Sequence, residues 1–143
     1  MLYDAVSDPA AHSTSALREA YEDQLRAVVD DVGAEAAAAE SGVDPDVVES
    51  VVAGDGHDVR VEDAAALLAL DEDRPDAETI VLELQDHLLM AMTTGVVDVD
   101  TVASNVDLDL SGQEVQQAIE GRTPMTLAQL AAIQRYLAER NDR

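Results

Sequence analysis

No cysteine, phenylalanine, tryptophan or lysine occurs in the 143 residues of this chain. Without cysteine there is no disulfide framework, no thiolate zinc site and no thiol nucleophile. With three tyrosines (Tyr3, Tyr21, Tyr136) as the only aromatic residues, the core has to be built from Ala, Val and Leu. Long hydrophobic runs are missing too: stretches such as residues 88–92 fall far short of the roughly 20 apolar residues that span a bilayer, so no membrane partner is expected. The first 16 residues contain no basic segment followed by an apolar run, which predicts no leader and a cytoplasmic location. The seven glycines are scattered, mostly where helices should end, and none forms a phosphate-binding loop of the G-x-x-x-x-G-K or G-x-G-x-x-G kind.

What is present is acid. Thirty-one Asp and Glu against eight Arg give a net charge of −23. An apolar fraction of 47% is too high for a disordered polyanion. In dilute buffer such a charge strains a compact fold by self-repulsion, whereas at 1 M salt the Debye length of about 3 Å suppresses it. Nineteen Asp beside no Lys resembles the composition of an extreme halophile of the haloarchaeal kind, so the charge describes the solvent more than a ligand. The acidity is unevenly spread: residues 1–110 hold 27 acids and four Arg, residues 111–143 four of each. A neutral stretch on an otherwise repelling chain marks a candidate contact surface for a polyanion or a protein partner.

Pattern and punctuation predict helices throughout. Residues 1–14 read as a loose N-terminal arm ending near a cap in Ser13-Thr14-Ser15. Leu17, Tyr21, Leu25, Val28 and Val32 fall on one helical face, and Gly33 ends it. A short alanine-rich helix over 34–40 follows, then a helix capped by Asp44 with Pro45 at its first position, running to Gly54. A fourth helix carries Val61, Ala64, Ala65, Leu67, Leu68 and Leu70. Residues 71–76, acidic and containing Pro75, form a linker between a first unit, 15–70, and a second, 77–140, with 141–143 as a tail. The second unit repeats the order: a long helix over 77–94, a short one near 101–106, one from 112 to 120 capped by Ser111, and one over 126–139. Aligning the halves pairs Ala36 with Ala103, Val48 with Val115, Gly54 with Gly121 and Val61 with Leu127. The helix over 77–94 has few polar faces, which predicts burial between neighbours or a place in a dimer seam. The expected fold is all-α: two tandem four-helix, helix-turn-helix-like repeats packed around a central apolar helix.

The order of short helix, turn, capped helix, glycine, turn and helix over Val102-Ala103-Ser104-Asn105 and Ser111 to Thr123 resembles the Cro and phage-repressor class of helix-turn-helix domains. That resemblance implies that the helix over 112–120 lies in the major groove of double-stranded DNA. Gln113, Gln116 and Gln117 would read base edges, while Ser111, Arg122 and Thr123 would contact phosphate. Val115, Ala118 and Ile119 would be core. The chain also resembles small uncharacterised haloarchaeal proteins, a likeness that carries no activity. The loop 107–110 is longer than the tight turn of that class, and the first repeat presents Asp44, Asp46 and Glu49 where phosphates would approach. The alternative is therefore a non-catalytic adaptor on the same scaffold, binding a protein partner or a second copy through the 77–94 face.

Other constellations fail on their spacing. Asp107, Asp109, Ser111 and Gly112 open like a calcium loop, but its closing position is Ala118, which cannot ligate. Glu83 and His87 share a helix face, yet only His12 and His57 remain to complete a metal site, and a helix hydrogen bond explains the pair. Carboxylates are everywhere, so their pairing identifies no acid-base couple. No cofactor, metal or enzymatic activity is expected.

Overall fold

The structure is a computed structural model describing residues 2–141, with the side chain of His57 outside the description; of the tail expected at 141–143, only Asn141 is described. It is all-helical: α1 (Thr14–Val32), α2 (Ala34–Ser41), α3 (Pro45–Ala53), α4 (Val61–Leu68), α5 (Ala77–Gly95), α6 (Val99–Asn105), α7 (Gly112–Ile119) and α8 (Leu127–Asn141), with short 3-10 turns at Leu2–Asp4, Pro9–Ala11 and Gly56–Asp58.

Side-chain caps set most of the starts. Ser13, Asp44, Asp76, Asp98 and Ser111 each accept a hydrogen bond from a first-turn amide of α1, α3, α5, α6 and α7. Ahead of α8, Thr126 and Gln129 exchange side-chain and backbone hydrogen bonds of 3.0 and 3.1 Å, a capping box. Arg60 cannot cap α4, and another segment does the work instead. The Val61 amide donates to Met125 O at 2.7 Å and the Leu127 amide to Val59 O at 2.8 Å, an antiparallel bridge between Arg60 and Thr126.

The core is one continuous cluster, with α1 packed on α8, α4 on α5, and α5 on α8. Tyr21 is its largest fully buried side chain. Its hydroxyl donates to Gln134 Oε1, whose amide in turn donates to Tyr3 O at 2.8 Å. Glu22, also fully buried, accepts from the Gly56 amide and lies 3.5 Å from Arg18, so a carboxylate fastens the turn before α4 to the middle of α1.

The N-terminal arm is docked, contrary to the loose segment expected of residues 1–14. Leu2 is fully buried, Arg135 donates to His12 O at 2.7 Å, and the Tyr3 ring stacks on His87 with centroids 4.7 Å apart. That stacking takes the place of the expected pairing of His87 with Glu83. Burial holds the His87 imidazole below its ordinary pKa, with the Asp4 carboxylate pulling weakly the other way. A histidine depressed in the docked state favours docking above its free pKa of about 6.5 and loses that advantage as pH falls through it, because undocking exposes His87 of α5, which then takes up the proton more readily. The protection of amides in residues 2–12, relative to their intrinsic exchange rates at each pH, should therefore fall between neutral pH and about pH 5; protection independent of pH would show that His87 does not hold the arm.

Helix α5 departs from the helix buried between neighbours that its composition predicts. Ile80, Leu84, Leu88 and Met92 are buried along one face, while Leu82, Leu89 and Met90 are 53%, 47% and 70% exposed. Its end is also unusual. Gly95 stays helical, and a Cβ there would lie 2.9 Å from Asn141 Oδ1 and 3.1 Å from Arg140 Cγ of the crossing α8. The left-handed capping position falls instead to Val96, at φ 53° and 84% exposed. A β-branched residue in that conformation costs on the order of 1 kcal/mol. Val96→Gly should raise Tm by a few degrees, read by thermal circular dichroism; a lowered Tm would show that the valine makes stabilising contacts in the isolated chain.

Candidate functional site

Two surfaces compete for a functional role, and the first is the helix singled out by its sequence. Val115, Ala118 and Ile119 are buried against α5 and α6, as expected, which turns Gln113 and Gln116 to solvent and leaves Gln117 half-buried. The candidate residues lie on and just after α7, and all but Gln113 are engaged with neighbouring residues. Gln116 Nε2 donates to Glu120 at 3.1 Å, and the Thr123 hydroxyl donates to Gln117 Oε1 at 3.4 Å. Arg122 is exposed and ion-paired to Glu120 at 3.0 Å. The Ser111 hydroxyl oxygen accepts from the Glu114 amide, and the Glu114 carboxylate accepts from the Ser111 amide, both at 3.2 Å.

The charge at the leading end of α7 is negative. Asp100 sits against Gly112, so closely that a Cβ there would collide with its carboxylate. Asp100 and Glu114 thus place two acids around the first turn of α7, where a phosphate would seek the helix's positive end. Glu120 adds a third in line with Gln113 and Gln116. The loop 106–111 carries Asp109 at φ 53° and Ser111 in its capping role. Among the described residues no group of three or more His, Asp or Glu could hold a metal ion.

The second surface was only half legible in the sequence. Leu82 and Leu89 of α5 and its capping residue Val96 recur every seven residues, with Met90 beside them, and all four are exposed. A shallow groove at its C-terminal end is lined by Leu89, Met92, Thr93, Val96, Val97 and Asp98. No Lys or Arg lies on α5; its acids, Glu78, Glu83 and Asp86, occupy the N-terminal half, and residues 87–97 carry no carboxylate. Arg140 closes the far end, donating to Gly95 O at 3.2 Å. The helical period pointed to an apolar helix here; which of its leucines face outward depended on where α4 and α8 land.

A third feature is a cleft of about 240 Å³ between α4, α5 and α7, floored by Val81, Leu84, Leu88, Ile119 and Met125 and rimmed by Glu62, Gln85, Arg122 and Thr123. It brings together no nucleophile and base, and no convergent donors aimed at one reacting atom. Among the described residues no single helix is long and apolar enough to cross a membrane.

The sequence matches the profile of a family described as "Family of unknown function (DUF5791)" over residues 17–140. No curated protein and no solved structure matches the chain.

Proposed function

We propose, for a chain that belongs to the DUF5791 family and takes no activity from it, a role as a non-catalytic interaction module of a halophile's cytoplasm that binds a protein surface through α5. The observation that carries this reading is the outward stripe of Leu82, Leu89, Met90 and Val96. Isolated exposed apolar residues need no explanation, but three on one helix and a fourth at its cap, on a strongly acidic chain, form a patch of the kind that marks interaction sites. The strain accepted at Val96 adds to it, since that side chain is both the most exposed and the least comfortable of the four.

The scaffold supports the tandem-repeat expectation. α1 packs on α8 as α5 packs on α4, and α2 meets α3 as α6 meets α7. Gly54 and Gly121, paired by the alignment, both end a helix in the left-handed region, at φ 81° and 79°. The residues that pair in the antiparallel bridge, Arg60 and Thr126, directly precede the aligned Val61 and Leu127. Equivalent segments meeting each other is the signature of a local two-fold axis. On that scaffold the helix-turn-helix likeness describes how each half is built rather than what it binds.

Capture from halophile extract in molar potassium chloride tests the reading. A defined partner, copies of this chain included, should be retained by wild type and lost by Leu89→Asp; identical retention by both, or by neither, contradicts it.

The neutral charge of residues 111–143 and the exposure of Gln113 and Gln116 favour a second reading, a DNA-associated regulator using 112–120 as recognition helix. Selection from a random DNA pool at the same salt decides it. Gln113→Ala, Gln116→Ala and Gln117→Ala combined should erase an enriched motif, and no enrichment by wild type sinks the idea.

A further inference from the structure

Resting on the interaction reading, we infer that the occupant of the α5 face is a second copy of this chain, its α5 running antiparallel to the first. The stripe is complementary to itself. Leu89, Met92 and Thr93 of the groove stand at the first, fourth and fifth places of a helical run and Val96, the residue that caps it, follows at the eighth, framing a hole of the kind that receives a knob when two helices pack with a seven-residue repeat. The matching knob is on the same stripe, one repeat before Leu89: Leu82, half exposed. In an antiparallel pair, the second copy's Leu82 enters this hole. Its Leu89 then enters the hole formed by Leu82, Gln85, Asp86 and Leu89. Both insertions share one register and are repeated by symmetry, as an isologous interface requires.

Charge selects the orientation. A parallel pair would stack Glu78 on Glu78, Glu83 on Glu83 and Asp86 on Asp86. The antiparallel pair lays the acidic N-terminal half of one α5 along the carboxylate-free run 87–97 of the other. It also brings the second copy's Glu78 level with Val96 and Val97, next to Gly95, where Arg140 closes the helix end. One like-charge contact remains, Asp86 near its own counterpart at the symmetry axis, and molar salt screens it. A seam of this length, about 20 Å along the helix, places the dimer among weak, concentration-dependent assemblies. The exposure of Val96 gives the left-handed cap a use: glycine there would relieve the strain and remove the last knob of the stripe.

The absence of cysteine allows a direct test by sedimentation and directed disulfides in molar potassium chloride. The mass of wild type should rise from 15.2 kDa towards twice that value as concentration increases. Leu89→Asp should remain at the single-chain mass with unchanged circular dichroism, and Val52→Asp, on an exposed apolar residue of α3 away from the stripe, should associate like wild type. Asp86→Asn should associate much like wild type, because molar salt already screens that contact. Mixed Leu82→Cys and Thr93→Cys chains should give the mixed disulfide in preference to either like pair. Preferential like-pair crosslinking of Leu82→Cys would overturn the antiparallel arrangement. Wild type at the single-chain mass over the whole range, with no mixed disulfide, would overturn the second copy altogether. If Leu89→Asp still abolished capture in that case, the interaction reading would stand without it; if capture were also unchanged, both would fall.

Discussion

Dialysed from molar potassium chloride into dilute buffer at neutral pH, the chain is expected to lose its helical circular dichroism cooperatively. Residues 1–110 carry 27 acids against four Arg, and folding confines them to a small volume. The Debye length grows from about 3 Å at 1 M to about 30 Å at 0.01 M, so repulsion that reaches only nearest neighbours in brine spans the whole molecule in dilute buffer. Little opposes it. The ion pairs Arg26–Asp23, Arg74–Asp71, Arg122–Glu120 and Arg135–Glu139 are all local and partly or largely solvent-exposed, a class that contributes about 0–1 kcal/mol each. The core is made of small side chains, and a domain of this size has a margin of about 5–15 kcal/mol under its preferred conditions. Lowering the pH of the dilute buffer towards the carboxylate range, at about 4, should restore part of the helicity by discharging the acids. Full helicity in dilute neutral buffer would show that the acidity is not an adaptation to salt.

The largest effect of a single substitution is expected at Tyr21. In a core without Phe or Trp, no neighbour is large enough to fill the space it leaves. Tyr21→Ala should cost about 3–5 kcal/mol, enough to unfold much of the population at moderate salt. Tyr21→Phe separates packing from hydrogen bonding. It keeps the ring but leaves Gln134 Oε1 buried without its donor, at a cost of about 1–3 kcal/mol. Burial pushes the Tyr21 phenol pKa up, so the hydroxyl remains a donor throughout the accessible pH range. Salt or urea titrations of the three proteins measure both terms. A Tyr21→Phe protein as stable as wild type would mean that Gln134 finds another donor.

Helix starts and stops were legible because they depend on local chemistry. Ser13, Asp44 and Ser111 cap where their position before an apolar run predicts, and Gly33, Gly42, Gly54 and Gly121 take positive φ at helix ends. The features that escaped depend on distant chain. The arm carries no helical period, so nothing local reveals that Leu2 is buried or that Tyr3 O is held by Gln134. Glu22 and Gln134 are polar residues on apolar faces, and their partners at Gly56 and Tyr21 are 34 and 113 residues away. At the end of α5 the glycine pattern misleads. Gly95 appears to be the left-handed cap, but it stays helical under the close crossing of α8 and the cap falls to Val96.

The candidate site divides in the same way. Pattern alone distinguished the buried and exposed faces of α7, since apolar and polar residues alternate there with the helical period. In α5, leucine and methionine lie on both faces, so composition could not separate Leu84 and Leu88 of the core from Leu82 and Leu89 of the stripe. The acids around the α7 N-terminus were visible as residues, but their convergence on Gly112 was not, because Asp100 reaches it from a different helix.

Methionine oxidation offers the most direct measurement of whether a protein surface covers α5. Met90 is 70% exposed on the stripe, while Met125, away from it, is 7% exposed, giving a reporter and an internal control on one chain. Under mild peroxide in molar potassium chloride, Met90 of the dilute protein should oxidise quickly and Met125 slowly. In concentrated protein or native extract, Met90 should become several-fold slower while Met125 stays unchanged. Met90 oxidising at the same rate in all three conditions would contradict an interaction function for this face.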